Sequence, residues 1–214
     1  MDSVASPLVL GFVGSFFLVA LLSLTSFIKL SVVLMIVRNA TGLQQVPSNM
    51  ILMILALFLA VFISMPVFSA ALAALSESDI TPETPADFIA LWRAGIAPFQ
   101  AFLGENTTPT HLMFMVDVSN ELWEGSGMVG TEDDFIIQVP SFMISQLTEA
   151  FEIGFLLYLP FVAVDLAVTG ILMAMGMQMV QPNIIAVPFK LLIFVFVDGW
   201  SKLVEGLIVS YVGA

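Results

Sequence analysis

Residues 151–211 read FEIGFLLYLPFVAVDLAVTGILMAMGMQMVQPNIIAVPFKLLIFVFVDGWSKLVEGLIVSY. Two long apolar runs flank the break Gln181-Pro182-Asn183-Ile184-Ile185-Ala186-Val187-Pro188. Proline fixes φ and lacks a backbone donor, so two prolines six residues apart are expected to stop both helices. The stretch is therefore read as a helical hairpin with its tip at 181–188. Met173, Met175, Met177 and Met179 stand just before the tip, and Asp165, Asp198 and Glu205 lie inside the arms.

The rest of the chain has the same character. Of its 214 residues 59% are hydrophobic, and the mean hydropathy of +1.06 is far above that of a soluble domain. Several membrane-class helices are expected rather than one soluble core. There is no cysteine, which excludes disulfides and thiolate sites. A single histidine, His111, makes a histidine-based metal site untenable and is read as a solvated loop residue. No cofactor is expected. The net charge of −12 is concentrated: residues 77–134 hold eleven acidic side chains against Arg93, a segment net of −10. Such a segment repels nucleic acid.

The first apolar run covers 7–37, interrupted by Lys29. As one helix it would be about 46 Å long at ~1.5 Å per residue, well beyond a hydrocarbon core of about 30 Å. Its start lacks a positive n-region, so a cleaved signal peptide is not favoured. A polar turn at 38–48 follows, with Gly42 as a helix stop and Pro47-Ser48 leading into the next helix. The second run, 49–75, carries Pro66 as a kink site. Three segments result: a first apolar hairpin (1–75), an acidic helical insert (76–134), and an amphipathic helix with a second apolar hairpin (135–214). The amphipathic piece is 135–150, with Ser145, Gln146, Thr148 and Glu149 on its polar side, read as an interfacial or a packing helix. The third and fourth runs are 151–180 and 189–212. Within the insert, Gly125 to Gly130 spells G-x-G-x-x-G, yet Glu132-Asp133-Asp134 follows and no strand precedes, so a flexible linker is expected. Arg38 and Lys190 mark the two short turns, which places both turns in the cytoplasm and the insert and termini outside.

Charges inside apolar helices need partners. Asp198, Lys202 and Glu205 are spaced four and three apart, which would place them on one helix face with Asp198 paired to Lys202. Glu205 and Asp165 then seek cations, and Lys29 is the mid-run candidate. Either Lys29 contacts an acidic residue of the second hairpin or of a neighbouring subunit, or these groups are solvated. The alternating methionines would split between two helix faces, or share one in an irregular backbone near Gly176. There their flexible side chains could form a deformable seal.

Several motifs, in order, resemble the SctR/FliP family of core export-apparatus proteins of bacterial type III secretion systems and flagella. They are Thr25-Ser26-Phe27-Ile28-Lys29, Arg38-Asn39-Ala40, Gly42-Leu43-Gln44-Gln45-Val46-Pro47-Ser48-Asn49-Met50, Ala150-Phe151-Glu152-Ile153-Gly154-Phe155, Tyr158-Leu159-Pro160-Phe161, Asp165-Leu166, Met175-Gly176-Met177, Pro188-Phe189-Lys190-Leu191 and Val197-Asp198-Gly199-Trp200. The likeness covers roughly 20–66 and 135–212 and leans to the virulence (injectisome) branch. It implies a non-enzymatic, all-α subunit of an inner-membrane export gate. Two helical hairpins joined by the acidic insert would assemble into a cone-shaped homo-pentamer with the S and T components, projecting into the periplasm. Other basal-body proteins would be neighbours and unfolded secreted proteins the cargo. The family's methionine gasket maps onto Met175, Met177, Gln178, Met179 and Val180; Gln178 and Val180 interrupt what is often an unbroken methionine run. Ser141 and Gln146 replace the more usual Ala and Glu. Inter-helix or inter-subunit charges map onto Lys29, Arg38, Glu152, Asp165, Lys190, Asp198, Lys202 and Glu205. Two other classes compete: an ion- or proton-coupled transporter using Asp165, Asp198 and Lys29, and an intramembrane hydrolase, for which no G-x-S-x-G is present.

Overall fold

A computed structural model describes residues 22–43, 46–78, 83–177 and 179–212. These form seven α-helices: α1 (Phe27–Ala40), α2 (Asn49–Glu77), α3 (Pro85–Glu105), α4 (Pro109–Leu122), α5 (Phe135–Ala174), α6 (Pro182–Phe196) and α7 (Gly199–Val209). The all-helical expectation holds. The chain divides into two compact units, Met1–Ile28 with Ala60–Gln146, and Lys29–Leu59 with Leu147–Ala214. Both α2 and α5 are continuous helices that contribute to each unit.

Four boundaries differ from those read in the sequence. The first run is not one helix in its described part: turns and a bend at 24–26 precede α1, where the Thr25 hydroxyl donates to the Leu22 carbonyl (3.1 Å). The portion of that run before Leu22 lies outside the described residues. The amphipathic piece at 135–150 is not separate, because α5 runs unbroken for 40 residues. Ser145 and Gln146 turn inward to bond the insert and Glu149 bonds Lys29 of α1, while Thr148 is exposed, so this part of α5 is a packing face. The prolines do not both stop helices: Pro182 opens α6, but Pro188 lies inside it. A proline so near a helix start forfeits one bond, to the Ile184 carbonyl, and the helix continues. The loop between α5 and α6 therefore falls at 175–181. Finally, the fourth run breaks at Val197-Asp198, and α6 and α7 are bent by 60°.

In the first unit, α3 begins with a capping box. The Thr84 hydroxyl accepts from Asp87 N–H (3.3 Å) and the Asp87 carboxylate accepts from Thr84 N–H (2.8 Å). The Thr84 hydroxyl also donates to Asp87 Oδ2 (2.7 Å). That side-chain bond, with the backbone bond, holds the Asp87 carboxyl below its ordinary range. Phe102 and Leu103 of α3 pack with Ile137 and Phe142 of α5, the two phenyl rings 5.9 Å apart. The insert thus holds two helices, α3 and α4, as the reading of it as helical expected. Its glycine-rich stretch is not a free linker at its end. Gly130 N–H donates to Asn120 Oδ1 (2.8 Å), Asn120 Nδ2 donates back to the Gly130 carbonyl (3.2 Å), and a Cβ at Gly130 would collide with the Ser119 hydroxyl.

In the second unit α1 buries Leu30, Val33, Leu34 and Val37, the i, i+3, i+4, i+7 stripe of a core-facing helix. It ends at Gly42, whose φ of 78° requires glycine. Where α1 crosses α5 the backbones approach closely: a Cβ on Gly154 would lie 2.5 Å from Ile36 Cδ1. Arg38 clips the α1–α2 turn, donating to Asn49 Oδ1 and to the Pro47 carbonyl. At the α6–α7 bend Asp198 adopts the left-handed conformation, and Gly199 leaves room for the Phe194 ring. That ring stacks edge-on to Trp200 (5.3 Å) and lies 6.2 Å from Phe161.

Candidate functional site

The methionine loop starts where α5 stops. Gly176 has φ 72°, Gly176 N–H donates to the Met173 carbonyl (3.0 Å), and Met177 N–H reaches back to the Leu172 carbonyl (3.0 Å). This 5→2 and 6→1 pair is the Schellman arrangement, with glycine in the left-handed position. It takes Met175, Met177 and Met179 off the helix and into irregular backbone. All three are exposed, Met179 at 99%. Met173, still helical, is exposed as well. Val180 turns the other way, packing with Val164 and Ile185 against the buried Val168, Leu172 and Ala186. Gln178, assigned to the same loop, lies outside the described residues. A rigid, apolar base thus presents flexible thioether side chains outward, and Val180 belongs to the base.

Below the loop, charge is buried in pairs. Asp165 of α5 meets Lys190 of α6: Nζ donates to Oδ2 at 2.6 Å, closing the hairpin. Asp165 Oδ1 is buried and has no partner among the described residues. Lys29 of α1 donates to Glu149 Oε2 of α5 at 2.8 Å and lies 3.7 Å from the centre of the Tyr211 ring. Lys29 is 1% exposed. A charge so enclosed persists only with a paired carboxylate and further polarisable contacts, and the geometry supplies both. Among the described residues these are the two ion pairs.

The sequence offered Lys29 an acid of the second hairpin or of a neighbouring subunit, or solvation. Its partner is instead Glu149, and Asp165 takes Lys190. The Asp198–Lys202 pair does not form. Asp198 precedes α7 rather than lying in it, and its carboxylate accepts from the Ser201 hydroxyl (3.0 Å), while Lys202 is exposed. Glu152 and Glu205 are exposed too. Asp165, Asp198 and Lys29 are therefore not gathered into one relay. His111 is not a loop residue: it sits in the first turn of α4, half-buried, with Nδ1 2.9 Å from the Ser145 hydroxyl. That hydroxyl is fully buried, donates to the Ser141 carbonyl (2.9 Å) and accepts from Thr108 N–H (3.0 Å). Its one proton is committed to a backbone acceptor, so the His–Ser contact is a strut between α4 and α5 rather than a nucleophile and base. Gln146 completes the strut through its Nε2 to the Asn106 carbonyl (3.0 Å).

Sequence reasoning missed Glu149 and Tyr211. The signal was present: a buried lysine requires an acid, and Glu149 lies close to the Ala150–Phe155 motif. Reading 135–150 as a helix separate from the second hairpin hid it.

Fold and site define an all-helical protein of the membrane class. Among the described residues two helices, α2 and α5, are long and apolar enough to cross a bilayer, or three spans if the bent α6–α7 pair is counted as one. The chain belongs to the FliP family, which it matches over residues 10–207. It is 47% identical to "Probable translocation protein y4yL" of Sinorhizobium fredii, over 90% of this chain and 87% of that one. It is 42% identical to "Yop proteins translocation protein R" of Yersinia pestis, over 88% of each chain. To "Virulence protein YscR" of Salmonella typhimurium it is 41% identical over 96% of this chain and 97% of that one.

Proposed function

We propose that the chain is a structural subunit of the type III secretion export gate, of the injectisome branch. It would form, as a homo-pentamer with the S and T components, the inner-membrane channel for unfolded proteins, with the assembly projecting into the periplasm. Family membership across nearly the whole chain carries this reading, since the relatives are named for translocation, secretion and virulence. The methionine loop supplies the part with a mechanism. Unbranched, polarisable side chains conform to irregular surfaces. A ring of Met175, Met177 and Met179, with Gln178, on a base fixed by Val180 would close a lumen around nothing and yield around a passing chain. The exposed charges Glu152, Asp198, Lys202 and Glu205, with the half-buried Arg38 of the α1–α2 turn, would face neighbouring subunits rather than lipid.

The test has two parts. Native mass spectrometry of the tagged chain co-expressed with its S and T components is expected to give five copies with both partners. Met177→Ala with Met179→Ala is expected to raise small-solute leakage through the assembled complex without loss of assembly. A stable monomer or dimer without partners would overturn the gate. An intact complex with unchanged leakage would overturn the gasket alone.

A further inference from the structure

The second unit holds a polar cavity of about 790 Å³, within the usual range for ligand pockets of roughly 300–1,000 Å³. Three stretches enclose it: the end of α1 with its turn, the α5 face that carries Tyr158 and Asp165, and the start of α6. The turn is pressed close to α6, since a Cβ on Gly42 would lie 2.7 Å from Val187 Cγ2. The charge of the cavity runs against that of the chain. The protein has five basic side chains and seventeen acidic ones, yet two of the five, Arg38 and Lys190, line the cavity with a single acid, Asp165.

Asp165 is matched by Lys190 at 2.6 Å, and its other oxygen is buried. Arg38 has no such match. Its guanidinium donates to the Pro47 carbonyl, Asn49 Oδ1 and Asn39 Oδ1, all neutral acceptors, and its Nε has no partner among the described residues. One positive charge thus stands without a counter-ion in the wall of a half-enclosed space, where it attracts an anion more strongly than in open water. Neutral donors stand around it. The Tyr158 hydroxyl and the side-chain amides of Gln181 and Asn183 line the same cavity and make no side-chain hydrogen bond among the described residues. With Arg38 they form a set of donor groups richer than one carboxylate, with its two oxygens, would use; a phosphate ester presents three strong acceptor oxygens. A guanidinium with neutral donors beside it is also the usual chemistry of phosphate recognition. From these observations we infer that the cavity binds a phosphate group, held by Arg38, Tyr158, Gln181 and Asn183, with the neutralised Asp165–Lys190 pair as its back wall. Two sources carry that chemistry, a phospholipid headgroup and free phosphate. The inference does not depend on the chain forming a gate.

The experiment measures equilibrium binding of radiolabelled inorganic phosphate and of dihexanoyl phosphatidic acid to the tagged full-length chain, purified in a phosphate-free detergent buffer with whatever accompanies it. Saturable binding at one site per chain is expected. Binding of the lipid alone would assign the site to a headgroup, and equal binding of the two would assign it to free phosphate. Arg38→Gln should weaken binding by about tenfold or more, the loss of one charge-assisted contact. Because Arg38 also clips the α1–α2 turn, a second variant keeps the test independent of folding. Asn183 is exposed in the first turn of α6, where an acid suits the helix start, so Asn183→Asp should keep the melting temperature while repelling phosphate to the same extent. Absence of saturable binding of either probe would overturn the inference and leave Arg38 to be answered by a neighbouring subunit. So would competition by acetate at the concentration of phosphate that half-fills the site, or binding unchanged in Asn183→Asp.

Discussion

Removing either member of the Lys29–Glu149 pair breaks the same hydrogen bond, yet the two losses should differ severalfold. Lys29 is 1% exposed, whereas the Glu149 side chain is 38% exposed. In Glu149→Gln the ammonium stays buried with a weaker acceptor and the Tyr211 ring, and breaking a buried pair this way costs about 3–5 kcal/mol. In Lys29→Met the lost charge leaves no orphan in the core, because Glu149 can take water; about 1 kcal/mol is expected, near the low end for an unsatisfied group. Joined as Lys29→Met with Glu149→Gln, the change should cost about as much as the lysine substitution alone, since with the ammonium gone no buried charge lacks its partner. Denaturation midpoints of the detergent-solubilised complex, read as a double-mutant cycle, measure all three. A coupling energy under about 0.5 kcal/mol, or a lysine loss that equals the glutamate loss, would refute the argument that burial asymmetry governs the pair.

Other expectations follow from single contacts. Tyr211→Leu should lower stability by about 2 kcal/mol through loss of the desolvated cation–π contact, read by the same melt. Gly154→Ala, forced against Ile36 Cδ1, should cost about 1–3 kcal/mol by overpacking, and Ile36→Val should restore part of it. Gly176→Ala places a Cβ in left-handed backbone at a cost of about 1–2 kcal/mol; faster amide exchange at Met177 would report the frayed cap. The Asp87 carboxyl is held below its ordinary range, so its contribution is present above the unfolded carboxylate pKa and disappears as pH falls through the lower folded value. Protection of the first-turn amides of α3, taken relative to free-peptide exchange at the same pH, should therefore fall at acid pH, and Asp87→Asn should remove that fall.

Much of this architecture was legible. Long apolar runs gave the helices and Gly42 gave the end of α1, while the methionine spacing left helix and irregular backbone both open until the glycine cap at Gly176 decided it. What escaped was tertiary. Pro140 and the polar Ser141, Ser145 and Gln146 look like the boundary of a surface helix, yet they are one face of α5 turned onto the insert. Pro188 looks like a stop, but a proline close to a helix start costs a single bond. Glu149 could not be assigned to Lys29 while α5 was taken for two helices, because partners 120 residues apart are fixed by packing and leave no local periodicity.

That separation also sets an order of events during synthesis. At about 5–20 residues per second, Asp165 waits roughly one to five seconds for Lys190, but Lys29 waits on the order of six to twenty-four seconds for Glu149. Throughout that interval an ammonium destined for the interior has no carboxylate. The first helix must therefore delay its final depth, held where water or another protein solvates Lys29, until α5 emerges. The N-terminal segment is made first and seated late.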